Sequence, residues 1–159
     1  MNFKIREAKD KDANRISDLL YTIAELHHRL RPDLFKSASS KYKPDDLYKK
    51  FAKDNEKIFV ATDENDVVLG YIFCVIEKYE NHNVFKDHKF LYIDDLCVDE
   101  NARGCGIATA LMDRAVIYAK EIGCHNITLN VWEGNTAAEH FYEKYGMKIQ
   151  SRHMELILK

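Results

Sequence analysis

The 159 residues carry 24 Lys and Arg against 26 Asp and Glu, a formal net charge of −2, with a pI near 6.4. That balance gives no global attraction to nucleic acid; no apolar run is long enough for a membrane span, and "MNFKIREAKDKD" lacks the apolar centre of a signal peptide. The expectation is a cytoplasmic protein with no nucleic-acid or membrane partner, and the length suits a single domain over residues 1–159. Cys74, Cys97, Cys105 and Cys124 form no C-x-x-C pair, so neither a zinc site nor a disulfide framework is expected, and no metal.

In chain order, "NFKIRE" (2–7) alternates like a short strand. Ala13, Ile16, Leu20, Ile23 and His27 recur at helical spacing, predicting a helix over 11–30 that Arg31 and Pro32 end. Pro44 suits a first helical position and predicts a second helix over 44–54. "KIFVAT" and "VVLGYIFCVIEKYE" flank the polar turn "DEND" and predict an antiparallel hairpin, followed by a strand near 89–98. Ile107, Leu111, Tyr118 and Ile122 then line one face of a helix with Gly123 as its cap. "NITLNVW" predicts a buried strand, and Asn135 caps a helix over "TAAEHFYEKYG". "MKIQSR" and "HMELILK" are expected to close the chain as strands. The class is α+β: a mixed, mostly antiparallel sheet flanked by helices, with a strand, glycine loop, helix, strand unit over 89–131 as its parallel crossover.

The junction "DDLCVDENARGCGIATALMDRA" (94–115) sets Arg103, Gly104, Gly106 and Ala108 where a strand gives way to a helix. Glycines there let backbone N–H groups approach a ligand, and a helix N-terminus favours phosphate. A Walker A loop would need Lys and then Ser or Thr after its last glycine, but Gly106 is followed by Ile107 and Ala108. A dinucleotide fingerprint fails as well, because its third glycine position, counted from Gly104, is Thr109. The loop reads as a cradle for some other phosphate.

These residues resemble the GCN5-related N-acetyltransferases. That family's R/Q-x-x-G-x-G/A pattern is met by Arg103, Gly106 and Ala108 within "RGCGIA", and its later Asn and Tyr by Asn135 and Tyr142 in "NTAAEHFYEKYG". The resemblance spans about residues 3–158 and implies acetyl-coenzyme A as cosubstrate. It implies that the backbone of Arg103, Gly104, Cys105, Gly106, Ile107 and Ala108 holds the pyrophosphate, with Asn135 also on the coenzyme side. It further implies that Leu96, Cys97 and Val98 pair with the pantetheine amides, helped by a bulge within 95–98, while a backbone N–H near Val98 meets the oxyanion.

For the chemistry, the resemblance points to Tyr142 as the acid that protonates the departing thiolate. "YIDDLCV" is similar to the fourth strand of polyamine-acetylating members, which places Asp94 as the group receiving the amine's proton, directly or through water. Strand alternation sends Asp95 to the opposite face, so only one of the pair meets the acceptor. "AELHHRLRPDLFK" and the nearby Tyr21 offer Glu25, His27, His28 and Asp33 to hold an amine, with Phe35 closing the pocket; Glu25, His28 and Asp95 are the substrate-binding candidates. Adjacent histidines on a helix diverge too far to chelate one metal.

Three functions stay open: acetylation of a small-molecule primary amine by direct attack in a ternary complex, which leads; acetylation of protein or peptide N-termini; and non-catalytic binding of acyl-coenzyme A. A homodimer is expected, since members of the family often pair through their last strands and "HMELILK" is apolar and unprotected.

Overall fold

The computed structural model describes residues 1–158. In chain order the elements are β1 (Lys4–Glu7), α1 (Ala13–Leu30), α2 (Pro44–Phe51), β2 (Glu56–Thr62), β3 (Val68–Tyr79), β4 (His88–Val98), α3 (Ile107–Glu121), β5 (Asn126–Leu129) and α4 (Thr136–Tyr145). The strands form one sheet in the order β1-β2-β3-β4-β5. The first four run antiparallel, and β5 lies parallel to β4. This is the mixed α+β architecture expected from the sequence.

Both faces of the sheet are covered, and the period-2 alternation of strand side chains supplies each with its own core. Phe59, Ala61, Ile72, Cys74, Leu91 and Ile93 pack against Ile107, Leu111, Met112 and Ala115 of α3. The intervening Ile58, Val60, Tyr71 and Phe73 pack on the other side with Ile16, Leu19 and Leu20 of α1 and Leu47 of α2. Between β2 and β3, Asp63 Oδ1 accepts the N–H groups of Asn65 at 2.9 Å and Val67 at 2.8 Å, which folds the "DEND" turn. Gly70 permits the close approach of β3 to β4, because a Cβ there would lie 2.8 Å from the carbonyl oxygen of Cys97.

Parity breaks once along β4. Leu91 and Ile93 lie on the α3 side, yet Cys97 belongs to the α1 side and Leu96 and Val98 to the α3 side. The register explains the switch: Phe73 pairs with Asp95 and Cys74 with Ile93, leaving Asp94 as an extra residue with no partner on β3. This is a β-bulge. It lies just before the 95–98 segment where a bulge was expected, and it overturns the inference that Asp94 and Asp95 point to opposite faces.

The ends of several elements also differ from expectation. Helix α2 stops at Phe51 and β5 at Leu129, so "NVW" is not part of the strand. Residues 147–158 form no strand. Ile149, Met154, Leu156 and Leu158 are 69%, 87%, 84% and 85% exposed. Alternation confers strand propensity, but a strand also needs a partner to hydrogen-bond, and within the described residues this segment pairs with no strand.

Candidate active site

Pairing between β4 and β5 runs from Phe90↔Asn126 to Ile93↔Leu129 and stops there. From Asp95 to Val98, β4 keeps its pairing with β3 but has no strand on its other edge. The open edge therefore begins at the bulge and includes Leu96, Cys97 and Val98, the residues expected to pair with a pantetheine arm.

Below this edge, Asp99 fixes the path into the glycine loop. Its N–H donates to Leu69 O at 2.8 Å, its Oδ1 accepts from Asn101 N at 2.8 Å, and its other carboxylate oxygen pairs with Arg15. The N–H bond from Asn101 and the Arg15 pair outweigh burial, which acts the other way, and hold its pKa below the usual carboxylate value. Gly104 and Gly106 then take φ of +76° and +82°, a left-handed backbone that residues with a Cβ adopt at a cost. Gly106 caps α3, and the first intrahelical bond is Ala110 N to Gly106 O at 3.0 Å. The N–H groups of Ile107, Ala108 and Thr109 precede it and face out of the helix start. A donor set of this kind, with nothing within 4 Å of the Cβ positions of Gly104 or Gly106, fits a pyrophosphate. Arg103 flanks it, its Nε 3.4 Å from Val98 O, while the Cys105 thiol is exposed.

At the bulge the two carboxylates share one side of the sheet. Asp94 Oδ1 accepts from Lys41 Nζ at 2.8 Å and its Oδ2 from the Tyr42 hydroxyl at 3.0 Å. Asp95 Oδ1 accepts from the Tyr71 hydroxyl at 3.3 Å. Burial pushes the Asp95 carboxyl up to about 6; nearby Lys41 opposes the rise and the charge of Asp94 adds to it. Burial likewise lifts the Tyr142 phenol well above its usual value, with the negative charge of Asp95 acting in the same direction. Tyr142 projects from α4, whose N-terminus is capped by Asn135 Oδ1 accepting from Ala138 N at 3.3 Å. The charge of Asp95 is thus felt at the Tyr142 phenol.

The acceptor candidates on α1 are used differently. Glu25 accepts the N–H of Ala38 at 2.6 Å, and His28 Nδ1 contacts Phe35 O at 2.6 Å. Both tie down the loop between α1 and α2 instead of lining the bulge. His27 packs on Phe35 at 5.2 Å, and burial, with the charge of Lys41, lowers its pKa. Asp33 pairs with Arg31 on the surface. Phe35 packs edge-on against Trp132 at 5.0 Å, so this loop reaches the segment that follows β5.

Sequence reasoning passed over Lys41, Tyr42 and Tyr71. Tyr42 stacks on Phe73 at 5.8 Å, and Lys50 Nζ lies 4.4 Å from the centre of its ring. A signal was present in "SKYKP": Pro44 starts α2, and α2 packs on the same face of the sheet as α1, so the residues just before it belong to the loop on that face.

A protein-family model described as the acetyltransferase (GNAT) family matches residues 21–147. The chain is 29% identical over 118 residues to the peptidyl-lysine N-acetyltransferase YjaB of Escherichia coli, covering 74% of this chain and 67% of that protein. A crystal structure of a mutant BH1408 protein from Bacillus halodurans superposes with a TM-score of 0.94 at 29% identity, covering 98% of this chain and 99% of the other. Glucosamine-6-phosphate N-acetyltransferase from Arabidopsis thaliana shares the fold at a TM-score of 0.71 and 22% identity over the full length of both chains. The chain belongs to the acetyltransferase (GNAT) family and is an acetyl-coenzyme A-dependent N-acetyltransferase.

Proposed function

We propose that the acceptor is a primary amine of a small molecule, attacked directly within a ternary complex. The observation that carries this reading is the pair of carboxylates, Asp94 and Asp95, turned onto one face at the start of the open β4 edge. A cationic amine is drawn to such a pair, as the side chain of Lys41 is. Bound acetyl-coenzyme A supplies an activated acyl carbon and a thiolate leaving group. Leu96, Cys97 and Val98 offer backbone groups to its arm, and residues 103–108 offer N–H groups to its pyrophosphate.

The roles then divide. Asp94, with Tyr42, orients the ammonium. Asp95, its pKa raised to about 6, takes up the proton as the amine becomes a nucleophile, directly or through water. Tyr142, held protonated by burial, gives a proton to the thiolate. This reading moves the base from Asp94 to Asp95 because Asp94 is already engaged by Lys41 and Tyr42. A diamine or polyamine would suit two adjacent carboxylates.

A peptide amine is the second reading. The Escherichia coli relative named as a peptidyl-lysine acetyltransferase favours it, and a lysine side chain is itself a primary alkylamine. The reading also takes the protein to be a metal-free, cytoplasmic, single-domain homodimer that needs neither nucleic acid nor membrane. Exposed Ile149, Met154, Leu156, Ile157 and Leu158 support association with a second copy. Mass-spectrometric screening of pooled diamines, amino acids, aminoglycosides and peptides for acetyl transfer tests it. Acetylated small amines are the expected product, and products confined to peptides would overturn the leading reading in favour of the second.

A further inference from the structure

The loop between α1 and α2 is tied to its surroundings on both sides of Lys41. Ahead of it, Glu25 holds Ala38 N at 2.6 Å, and Ser39 Oγ donates to Lys36 O at 3.0 Å. After it, Tyr42 O accepts from Ser17 Oγ at 3.3 Å and from Ser40 Oγ at 3.1 Å, and the Tyr42 ring is held between Phe73 and Lys50. The anchored loop delivers Lys41 Nζ to the bulge, 2.8 Å from Asp94 Oδ1 and 3.2 Å from Asp94 O. A surface ion pair could use any carboxylate; this one uses the side chain and the carbonyl of the one residue that interrupts β4.

We infer that Lys41 is itself an acceptor, and that the chain acetylates this side chain in cis when no other amine occupies the site. The inference rests on the proposed reading of Asp94, Asp95 and Tyr142. The Lys41 ammonium gives up a proton to Asp95 or to water, and the nitrogen lone pair forms a bond to the acetyl carbon of acetyl-coenzyme A. The carbon–sulfur bond breaks, the thiolate takes a proton from Tyr142, and the second proton lost by the Lys41 nitrogen returns Tyr142 to its protonated form through solvent. The products are an acetamide on Lys41 and free coenzyme A. Acetylation removes the charge that pairs with Asp94, so the modified chain presents its carboxylates to an external ammonium without a competing lysine.

The test incubates the full chain with acetyl-coenzyme A and no added amine, and follows proteolytic peptides by mass spectrometry. In parallel, transfer to an added diamine is measured. Lys41 is expected to gain one acetyl group ahead of the other lysines, with a rate constant independent of protein concentration. Tyr142→Phe and Asp95→Asn should slow that acetylation by on the order of tenfold or more. Lys41→Arg should remove it from that peptide alone. If diamine is acetylated while Lys41 stays unmodified, the inference fails and the proposed function stands. If neither Lys41 nor any small amine of the screening pool is acetylated, both fail. Lys41 acetylation that is equally fast in the Tyr142→Phe chain would be non-enzymatic and would overturn the inference, as would a rate that rises with protein concentration.

Discussion

The Asp95 carboxylate accepts a hydrogen bond from the Tyr71 hydroxyl at 3.3 Å, a contact that exists because the extra residue in β4 is Asp94. Without the bulge, Asp95 would lie on the α3 side with Leu91 and Ile93, away from Tyr71. On the proposed reading, the insertion of one residue thereby assigns Asp95 the role of base and Asp94 that of binding the ammonium.

That division predicts different kinetic phenotypes for the two aspartates. Asp95→Asn should lower kcat by on the order of 10² to 10³, and the alkaline arm of its pH profile should recover part of the loss as the free amine deprotonates unaided. Asp94→Asn should chiefly raise KM for a cationic amine, because it removes ground-state binding. Steady-state kinetics across pH 6 to 9, roughly the span over which such groups act, checks both. The assignment is reversed if Asp94→Asn has the larger effect on kcat.

The same burial has a thermodynamic consequence. Asp95 titrates at about 6 in the fold and at roughly 3.9 in an unfolded chain, so between those values the native state binds more protons than the unfolded state. Stability from this group is fully present below the unfolded value and is lost as pH rises through about 6. Asp95→Asn, which stays neutral, should raise the melting temperature by several degrees at pH 7.5, equivalent to about 2 kcal/mol, and change it little near pH 4, about the unfolded value. Calorimetric melting of both chains at the two pH values decides this; equal Tm at the higher pH would mean Asp95 is well solvated.

Helical and strand periodicity were legible wherever one chain segment meets its own core: α1, the β2–β3 hairpin, β4 and α3 all lie where their apolar spacing places them. The glycine loop was legible too, since Gly104 and Gly106 adopt the positive φ that the motif implies. What escaped was non-local. A bulge shifts parity without altering composition, so "YIDDLCV" reads as plain alternation, and Tyr71 meets Asp95 only after β3 and β4 pair. Glu25 and His28 look like free ligands until the loop they hold is in place. The terminal "HMELILK" shows the converse, an apolar alternation that pairs with no strand among the described residues.

Gly106→Val should cost coenzyme affinity more than stability. Nothing lies within 4 Å of a Cβ at this position, but its φ of +82° is unfavourable for a branched side chain, at a cost of roughly 1–2 kcal/mol. The added methyls would stand over the N–H groups at the start of α3. Titration calorimetry should show coenzyme A binding weakened by at least about tenfold, with Tm lowered by only a few degrees. Unchanged affinity would place the pyrophosphate elsewhere.

The exposed terminal segment predicts self-association. Met154, Leu156 and Leu158 are 87%, 84% and 85% exposed, more apolar surface than an unpaired strand-like segment usually leaves in water. Light scattering should give about twice the 18.6 kDa chain mass, and removal of residues 153–159 should return a monomer. A monomer for the intact chain at micromolar concentration would refute this.

Tyr142 provides the most selective test of the chemistry. It lies seven positions after Asn135, close to two helical turns, so the capped end of α4 and the phenol project to the same side. Its ring packs against the core around α3 and meets Phe141 edge-on at 5.1 Å, while burial and the Asp95 charge keep its hydroxyl protonated. A phenol protonated at neutral pH can donate to a thiolate, whose conjugate thiol is the stronger acid in water, only where position assists the transfer. Tyr142→Phe preserves the ring and its packing and deletes one hydroxyl. It should leave Tm and coenzyme affinity nearly unchanged and lower kcat by on the order of 10², with KM for the amine little affected. A kcat equal to the parent's would assign thiolate protonation to water and leave Tyr142 a packing residue. A large fall in Tm would mark its hydroxyl as structural, and either result would leave the arguments for Asp95 and the glycine loop intact.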